Sequence, residues 1–409
     1  MSNDPAESNE PTVSRETKRR VVVLFGGRSA EHEVSCTSAV WVLQSLDQTK
    51  YDVTAIGITG DGTWVVSDSA RALLQQAQLP SYKISRVLAE GDAVSQHSVL
   101  GAAVQTGAVP VDGSAGAIRS LALHDSDTRL AVVIPVLHGP YGEDGTVQGM
   151  LELAGVPYVG SGVLASAIAM DKVVAKTLFR AAGLPQADYC SAAGWELETA
   201  AAIEVFELKC ASGFGYPMFV KPANLGSSVG VSKVTSHHEF AQAVQVALSF
   251  DDWVIVEQGI DGREIEFAVL GNEHPMVSVA GEILPGHDFY DYNDKYLSNA
   301  SSTKIPADLP PDVVTEGQKL ATQAYAALRC EGLSRVDFFY DDGSVRPNGR
   351  TPRGWLINEI NTIPGCTPIS MYPKLWEASG VAGREVLDRL IDLAVARHDR
   401  RSGRVGRSR

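Results

Sequence analysis

Apolar residues along this chain come in short blocks, separated by glycine, proline and charge. Val21-Val22-Val23-Leu24-Phe25 is unbroken and stops at Gly26-Gly27. Such a block predicts a strand buried on both faces, as in a parallel sheet. Ser29 then reads as a helix cap, with a helix through residues 38–46. Further strands are predicted over 53–58 and 130–137. Strands alternating with helical stretches predict a parallel, helix-flanked sheet up to about residue 165. Between them, residues 81–116 carry little pattern and many small side chains, which reads as an insertion or a long connection.

From residue 166 the pattern changes. Residues 171–182 are helical in composition and stop at Gly183-Leu184-Pro185. Strands are expected over 217–222, 230–234 and 253–257, with a helix over 240–248. A third stretch alternates over 264–270, turns at Gly271-Asn272, and resumes as a strand over 277–282. A long helix is predicted over 310–328, a strand pair over 335–340 and 355–361, and a last helix over 385–396. The expected class is α/β. The expected division is a disordered leader (1–19), an N-terminal α/β unit (20–165), a central unit (166–260), a C-terminal unit (261–396) and a basic tail (397–409). The tail arginines, among them Arg397, Arg400 and Arg401, read as solvated, with weak anion binding as the other reading.

Composition narrows the partners. The 409 residues suffice for about two or three domains. An apolar fraction of 44% excludes a mainly disordered chain. The net charge of −14 repels nucleic acid and anionic membranes, so neither is an expected partner. No apolar run approaches the ~20 residues that span a bilayer. The first twenty residues lack the apolar segment of a secretory signal, and a cytoplasmic location is expected. The five cysteines include no Cys-x-x-Cys pair, so reduced thiols are expected rather than a disulfide framework or a zinc knuckle.

Three constellations carry candidate chemistry. Gly26-Gly27-Arg28-Ser29-Ala30 follows a strand but fits neither dinucleotide nor Walker spacing. It offers a strand end and a helix N-terminus, a ready ligand site. Glu31 and Glu33 there have a plainer reading as first-turn acids. The second is Lys221-Pro222-Ala223-Asn224-Leu225-Gly226-Ser227-Ser228-Val229-Gly230. A lysine at a strand end, followed by small residues with free N–H groups, suits phosphate oxygens; a flexible turn is the alternative. The third pairs Arg335-Val336-Asp337 with Glu359-Ile360-Asn361. Residues i and i+2 of a strand share a face, so on paired strands three oxygen ligands and a guanidinium converge. Few hard oxygen donors describe Mg²⁺ held together with nucleotide phosphates. An exposed, salt-bridged polar face is the other reading.

Two further segments add to these. Residues 254–258 with Gly262-Arg263-Glu264 offer edges to a purine and an acid to ribose hydroxyls. Phe289-Tyr290-Asp291-Tyr292-Asn293-Asp294-Lys295-Tyr296 is aromatic and charged, and reads as a lid that orders on ligand binding, or as a surface loop.

Together these segments resemble the D-alanine–D-alanine ligases of the ATP-grasp superfamily, over nearly the whole chain from about Val21 to Ala396. The motifs are Phe25-Gly26-Gly27-Arg28-Ser29-Ala30-Glu31-His32-Glu33-Val34-Ser35, His138-Gly139-Pro140-Tyr141-Gly142-Glu143-Asp144-Gly145 and the 221–230 loop. With them come Tyr290-Asp291-Tyr292, Lys295-Tyr296, Ser334-Arg335-Val336-Asp337 and Asn358-Glu359-Ile360-Asn361-Thr362-Ile363-Pro364-Gly365. The resemblance implies a three-domain ATP-grasp fold with a parallel-sheet N-terminal domain. It implies that ATP phosphorylates one D-alanine carboxylate and that a second D-alanine attacks the acyl phosphate. The dipeptide would enter peptidoglycan synthesis.

The resemblance also implies roles. Glu31 would bind the first substrate's ammonium group, with Ser227 and Tyr296 bonded to it. Lys172, Lys221 and Ser228 would contact phosphates, and Lys295 would neutralise the γ-phosphate. Glu257, Gln258 and Ile260 would frame adenine, and Glu264 the ribose. Asp337, Glu359 and Asn361 would hold two Mg²⁺ or Mn²⁺ ions. Arg335 and the Gly365 N–H would stabilise the tetrahedral intermediate. Ser370 would bind the second carboxylate, with Met371 beside it, and His138 would line the first-substrate pocket. A homodimer is expected from the family. Gln258 and Gly259 depart from the usual hinge, and the leader, the arginine tail and residues 346–354 fall outside the pattern. Lys295-Tyr296 favours D-alanine over D-lactate or D-serine as second substrate; those ligases, or another ATP-grasp carboxylate–amine ligase, are the alternatives.

Overall fold

The structure is a computed structural model that describes residues 18–60, 62, 64–66, 130–284, 302–345 and 351–404. The expected leader up to residue 17, the 81–116 connection and the 289–296 segment lie outside the described residues.

The first unit runs β1 (Arg19–Gly26), α1 (His32–Ser45), β2 (Tyr51–Ile58), β3 (Trp64–Val66) and β4 (Val132–Val136), then α2 (Thr146–Ala154) and α3 (Val163–Met170). Its sheet has the order β3-β2-β1-β4, with β1 parallel to both β2 and β4 and only β3 antiparallel. The apolar block of β1 splits by parity. Val22 and Leu24 pack with Val147 and Leu151 of α2, while Val21, Val23 and Phe25 face α1. Burial on both faces is what the unbroken block requires.

The helix after β1 begins at His32, so Ser29 does not cap it. Ser29 instead donates its hydroxyl to the His138 carbonyl at 2.7 Å and accepts the Glu31 N–H at 3.2 Å. The serine three residues before the helix ties two loops together.

The second unit contains α4 (Lys172–Ala181), β5 (Tyr189–Ala193), α5 (Ala200–Phe214), β6 (Met218–Pro222), β7 (Ser232–Val234), α6 (His237–Leu248) and β8 (Trp253–Gln258). Asp171 caps α4 by accepting the Val174 N–H at 2.9 Å. The sheet order is β5-β8-β6-β7, antiparallel throughout, with α5 and α6 on one face. The pattern does not reveal α5, because Val205 (68% exposed) and Leu208 (62% exposed) put apolar residues on its outer face.

The third unit contains β9 (Arg263–Gly271), β10 (Met276–Val277), β11 (Gly281–Leu284), β12 (Ser302–Lys304), α7 (Pro311–Ala327), β13 (Gly332–Asp341), β14 (Gly354–Asn361), α8 (Met371–Ala378) and α9 (Gly383–Ser402). The expected single strand over 277–282 is two short ones, β10 and β11. Between them Ser278 bonds back to β9 and its hydroxyl accepts the Ala268 N–H. The main path is β12-β11-β9-β13-β14.

The last helix does not stop at residue 396 but runs to Ser402, which corrects the reading of a solvated arginine tail. Arg397 is 3% exposed and donates to the Tyr158 and Gly160 carbonyls of the first unit. Arg401 pairs with Glu152 and Glu331 at 2.7 and 2.6 Å, and Arg400 pairs with Glu331 at 2.7 Å. Tyr372 and Trp376 of α8 and Leu390 of α9 share one core with Val23 and Phe25 of β1. The first and third units are therefore packed as one body along that seam. No helix among the described residues is long and apolar enough to cross a membrane.

Candidate active site

The three units meet at a cleft of about 320 Å³. From the first unit comes Glu31, buried at the head of α1. Ser227 of the β6–β7 loop donates its hydroxyl to Glu31 Oε1. On the other side of Glu31 lies Gly139, where φ is +71° and an added Cβ would sit 2.5 Å from Oε2. A side chain there would displace the carboxylate, which is why glycine stands at that position.

His138 lines the same cleft, but neither ring nitrogen is free. Its Nδ1 lies 2.9 Å from the Ile363 carbonyl, which can only accept, so Nδ1 carries the proton. Nε2 then accepts from Ser38 Oγ at 3.0 Å, and Ser38 Oγ in turn accepts the Cys366 N–H at 3.0 Å. Burial lowers the His138 pKa, consistent with this neutral tautomer. His138 thus anchors the 363–366 segment to the first unit. Glu143, five residues on, is buried in the same cleft, and its pKa is raised well above the ordinary carboxylate range by burial and by the Glu31 charge.

The β6–β7 loop holds two consecutive serines in the left-handed region, Ser227 at φ +50° and Ser228 at φ +58°. Non-glycine residues there are strained, and such strain gathers at ligand clamps. Lys172, on the first turn of α4, reaches the Leu225 carbonyl of this loop at 2.6 Å and lies 3.6 Å from Glu359. Lys221, at the loop's start, is 2.6 Å from Glu257 Oε2. Two ammonium groups and this loop thus line one cleft, an arrangement that suits phosphate oxygens.

β13 and β14 pair as expected, antiparallel. Arg335 is opposite Asn361, and Asp337 opposite Glu359. The register shifts after Asp337, a bulge of the kind found next to active sites. Val336, Phe338, Ile357 and Ile360 fill the core on the reverse face. Arg335 grips Asp337 with two bonds of 2.7 Å and lies 3.1 Å from Glu266. Burial alone would lower the Arg335 pKa, but the carboxylates raise it well above its ordinary value. Asn361 donates to Asp337 at 2.9 Å. Among the described residues no three Asp, Glu, His or Cys side chains gather as a complete metal cage. Two carboxylates and one amide oxygen fit a hard divalent ion that takes its remaining ligands from phosphates.

Beyond this pair, Gly365 and Ser370 close the cleft. The Ser370 hydroxyl accepts the Thr367 N–H at 3.0 Å, and Met371 starts α8 in the cleft wall. Glu264, on β9, lines the cleft as well. Glu257 reaches it only through Lys221, and Gln258 and Ile260 lie outside its lining. Gln258 accepts from Arg353 at 2.6 Å. Lys295 and Tyr296 lie outside the described residues. Cys366 is buried, which pushes its thiol up to about 12 and leaves no thiolate at neutral pH.

Sequence reasoning missed three buried charged groups here. Glu143 stands inside a quoted motif but was given no role. Glu266 shares a strand face with Glu264, and Lys176 lies one helical turn from Lys172, so spacing alone could have flagged both.

A parallel-sheet domain and two antiparallel sheets around a cleft of lysines, carboxylates and an arginine define a three-domain ATP-grasp architecture. The D-ala D-ala ligase N-terminus model matches residues 20–161, and the D-ala D-ala ligase C-terminus model matches residues 178–392. The chain belongs to the D-alanine–D-alanine ligase family. It is 45% identical over 387 residues to the D-alanine–D-alanine ligase of Acetivibrio thermocellus, covering 93% of this chain and 97% of that one. It is 45% identical over 396 residues to that of Kineococcus radiotolerans, covering 94% and 99%. The D-alanine-D-alanine ligase structure from Coxiella burnetii superposes with a TM-score of 0.73 at 35% identity, covering 94% of this chain and 96% of that one. The VanG D-Ala:D-Ser ligase of Enterococcus faecalis gives 0.71 at 32% identity, covering 92% and 100%.

Proposed function

We propose that this chain joins two D-alanine molecules at the expense of ATP, giving D-alanyl-D-alanine, ADP and phosphate for peptidoglycan synthesis. The observation that carries the reading is the bond between Ser227 and Glu31. It supports the reading because the Glu31 carboxylate, which would bind the ammonium group, lies against the loop that would hold the phosphates.

In the first step a carboxylate oxygen of one D-alanine attacks the γ-phosphorus, and the bond to the β–γ bridging oxygen breaks to release ADP. In the second, the neutral amino group of another D-alanine attacks the carbonyl carbon. Phosphate leaves with the former carboxylate oxygen, and the amine's proton passes to solvent or phosphate. No protein nucleophile is needed, so the residues act by position and charge. Glu31 orients the first ammonium group, Tyr296 supports Ser227, and His138 holds the 363–366 segment in place. Lys172, Lys221, Ser228 and Lys295 grip phosphates, and Glu264 meets the ribose. Glu257 meets adenine, with Gln258 and Ile260 contributing backbone. Arg335 and the Gly365 N–H meet the developing oxyanion, and Ser370, beside Met371, takes the second carboxylate. Two Mg²⁺ or Mn²⁺ ions on Asp337, Glu359 and Asn361 would neutralise phosphate charge. A homodimer and a cytoplasmic location complete the reading, by family resemblance.

The test is isotopic. D-alanine labelled with ¹⁸O in its carboxylate is expected to deliver one label per turnover into the released phosphate. Unlabelled phosphate alongside dipeptide would overturn the acyl-phosphate route.

A further inference from the structure

Lys176 is buried, at 2% exposed, and nothing in the reaction just described uses it. It lies on α4 one turn after Lys172, so the helix presents both lysines on one face. Lys172 reaches the phosphate loop, and Lys176 reaches Glu257 Oε1 at 3.1 Å. The other oxygen, Oε2, holds Lys221 at 2.6 Å. One carboxylate on β8 is thus shared by two lysines from different elements. The Tyr189 ring, 5.9 Å from the ammonium group, shields it from water on one side.

We propose that Lys176 is a positioning residue for nucleotide binding: it is the resident counter-ion of Glu257, and it keeps that carboxylate charged and fixed when Lys221 turns to phosphate. The inference rests on the ligase reading above. The charge balance requires such a group. A buried ionised carboxylate stripped of its partner costs several kcal/mol, so Glu257 cannot release Lys221 unless a second cation stays. Burial pushes the Glu257 carboxyl up, but Lys176 and Lys221 outweigh it and hold it at about 2. A carboxylate offers about four acceptor sites, so two lysines leave room for a purine amino group.

Three proteins test this: the parent, Lys176→Met and Lys176→Arg, each confirmed folded by thermal melting. Binding of a non-hydrolysable ATP analogue is measured without D-alanine, and KM and kcat are measured in the full assay. Lys176→Met is expected to weaken analogue binding and raise KM for ATP by about tenfold, with KM for D-alanine and kcat within about threefold. Lys176→Arg keeps the cation and is expected to restore analogue binding to within about threefold of the parent. If Lys176→Met is folded and binds the analogue as the parent does, the inference is overturned and the ligase reading stands. Loss of kcat with unchanged analogue binding also overturns it. If Lys176→Met does not fold, the arginine variant decides, and a tenfold loss there overturns the proposal. Failure of the parent to bind the analogue at all would overturn the ligase reading itself.

Discussion

Ser227 and Glu31 stand 196 residues apart in the chain and share a hydrogen bond at the centre of the cleft. The contact joins the strained phosphate loop to the head of α1. A loop held in the left-handed region needs such an anchor, and a carboxylate boxed between Gly139 and that loop has little freedom of its own. In the proposed reaction, substrate binding and phosphate binding would therefore share one structural link.

Removing the link is expected to hurt the first substrate most. Ser227→Ala should raise KM for the first D-alanine by about tenfold, the value of a hydrogen bond to a charged group, with a smaller change at the second site. Steady-state kinetics resolved for the two sites check this. Equal effects on both sites would mean that the loop, not the Glu31 contact, is what matters.

The carboxylates proposed to hold metal carry a different expectation. Arg335 already satisfies Asp337 with two bonds in the protein alone. Chelating divalent ions should therefore abolish phosphate release while shifting the thermal midpoint by less than about 2 °C. Glu359→Gln is expected to lower kcat by about a thousandfold or more, since it removes charge at the transferring phosphoryl group. A large loss of thermal stability on chelation would show instead that the ions hold the fold.

Glu143 gives a pH signature. Its pKa rises from 4.5 in the unfolded chain to well above that in the folded state, through burial and the neighbouring Glu31. The folded state therefore keeps a proton that the unfolded chain gives up. The stability it supports is whole below pH 4.5 and is lost as pH rises toward the folded value. Glu143→Gln mimics the protonated form. It should melt about 3 °C or more above the parent at pH 8 and level with it near pH 4.5. A variant that is less stable than the parent at pH 8 contradicts this.

Arg397 is expected to be structural. Its guanidinium stacks on Tyr158 at 4.3 Å and satisfies two carbonyls of the first unit. Arg397→Ala leaves both carbonyls buried and unpaired, at a cost of about 3 kcal/mol. Chemical denaturation should show that loss, whereas Arg404→Ala, beyond the helix, should fall within about 0.5 kcal/mol of the parent.

Much of this was legible in the sequence because strands speak through parity and blocks. β1 and the β13–β14 pair announced themselves, the first by unbroken apolar residues and the second by alternating charge and core. What stayed hidden depended on tertiary partners. α5 was obscured by apolar residues on its open face. Arg397, Arg400 and Arg401 read as solvated because their partners, Tyr158, Glu331 and Glu152, lie far off in the chain. Spacing from Lys172 could flag Lys176, but not its burial against Glu257, because a buried lysine looks like any surface lysine in one dimension.

The most direct measurement is phosphate release from ATP and Mg²⁺, with products identified by mass, using D-alanine alone and then D-alanine mixed with D-serine or D-lactate. The account predicts release with D-alanine alone and D-alanyl-D-alanine as the dominant product in every mixture. Release only in the mixtures, giving D-alanyl-D-serine or D-alanyl-D-lactate, would contradict it.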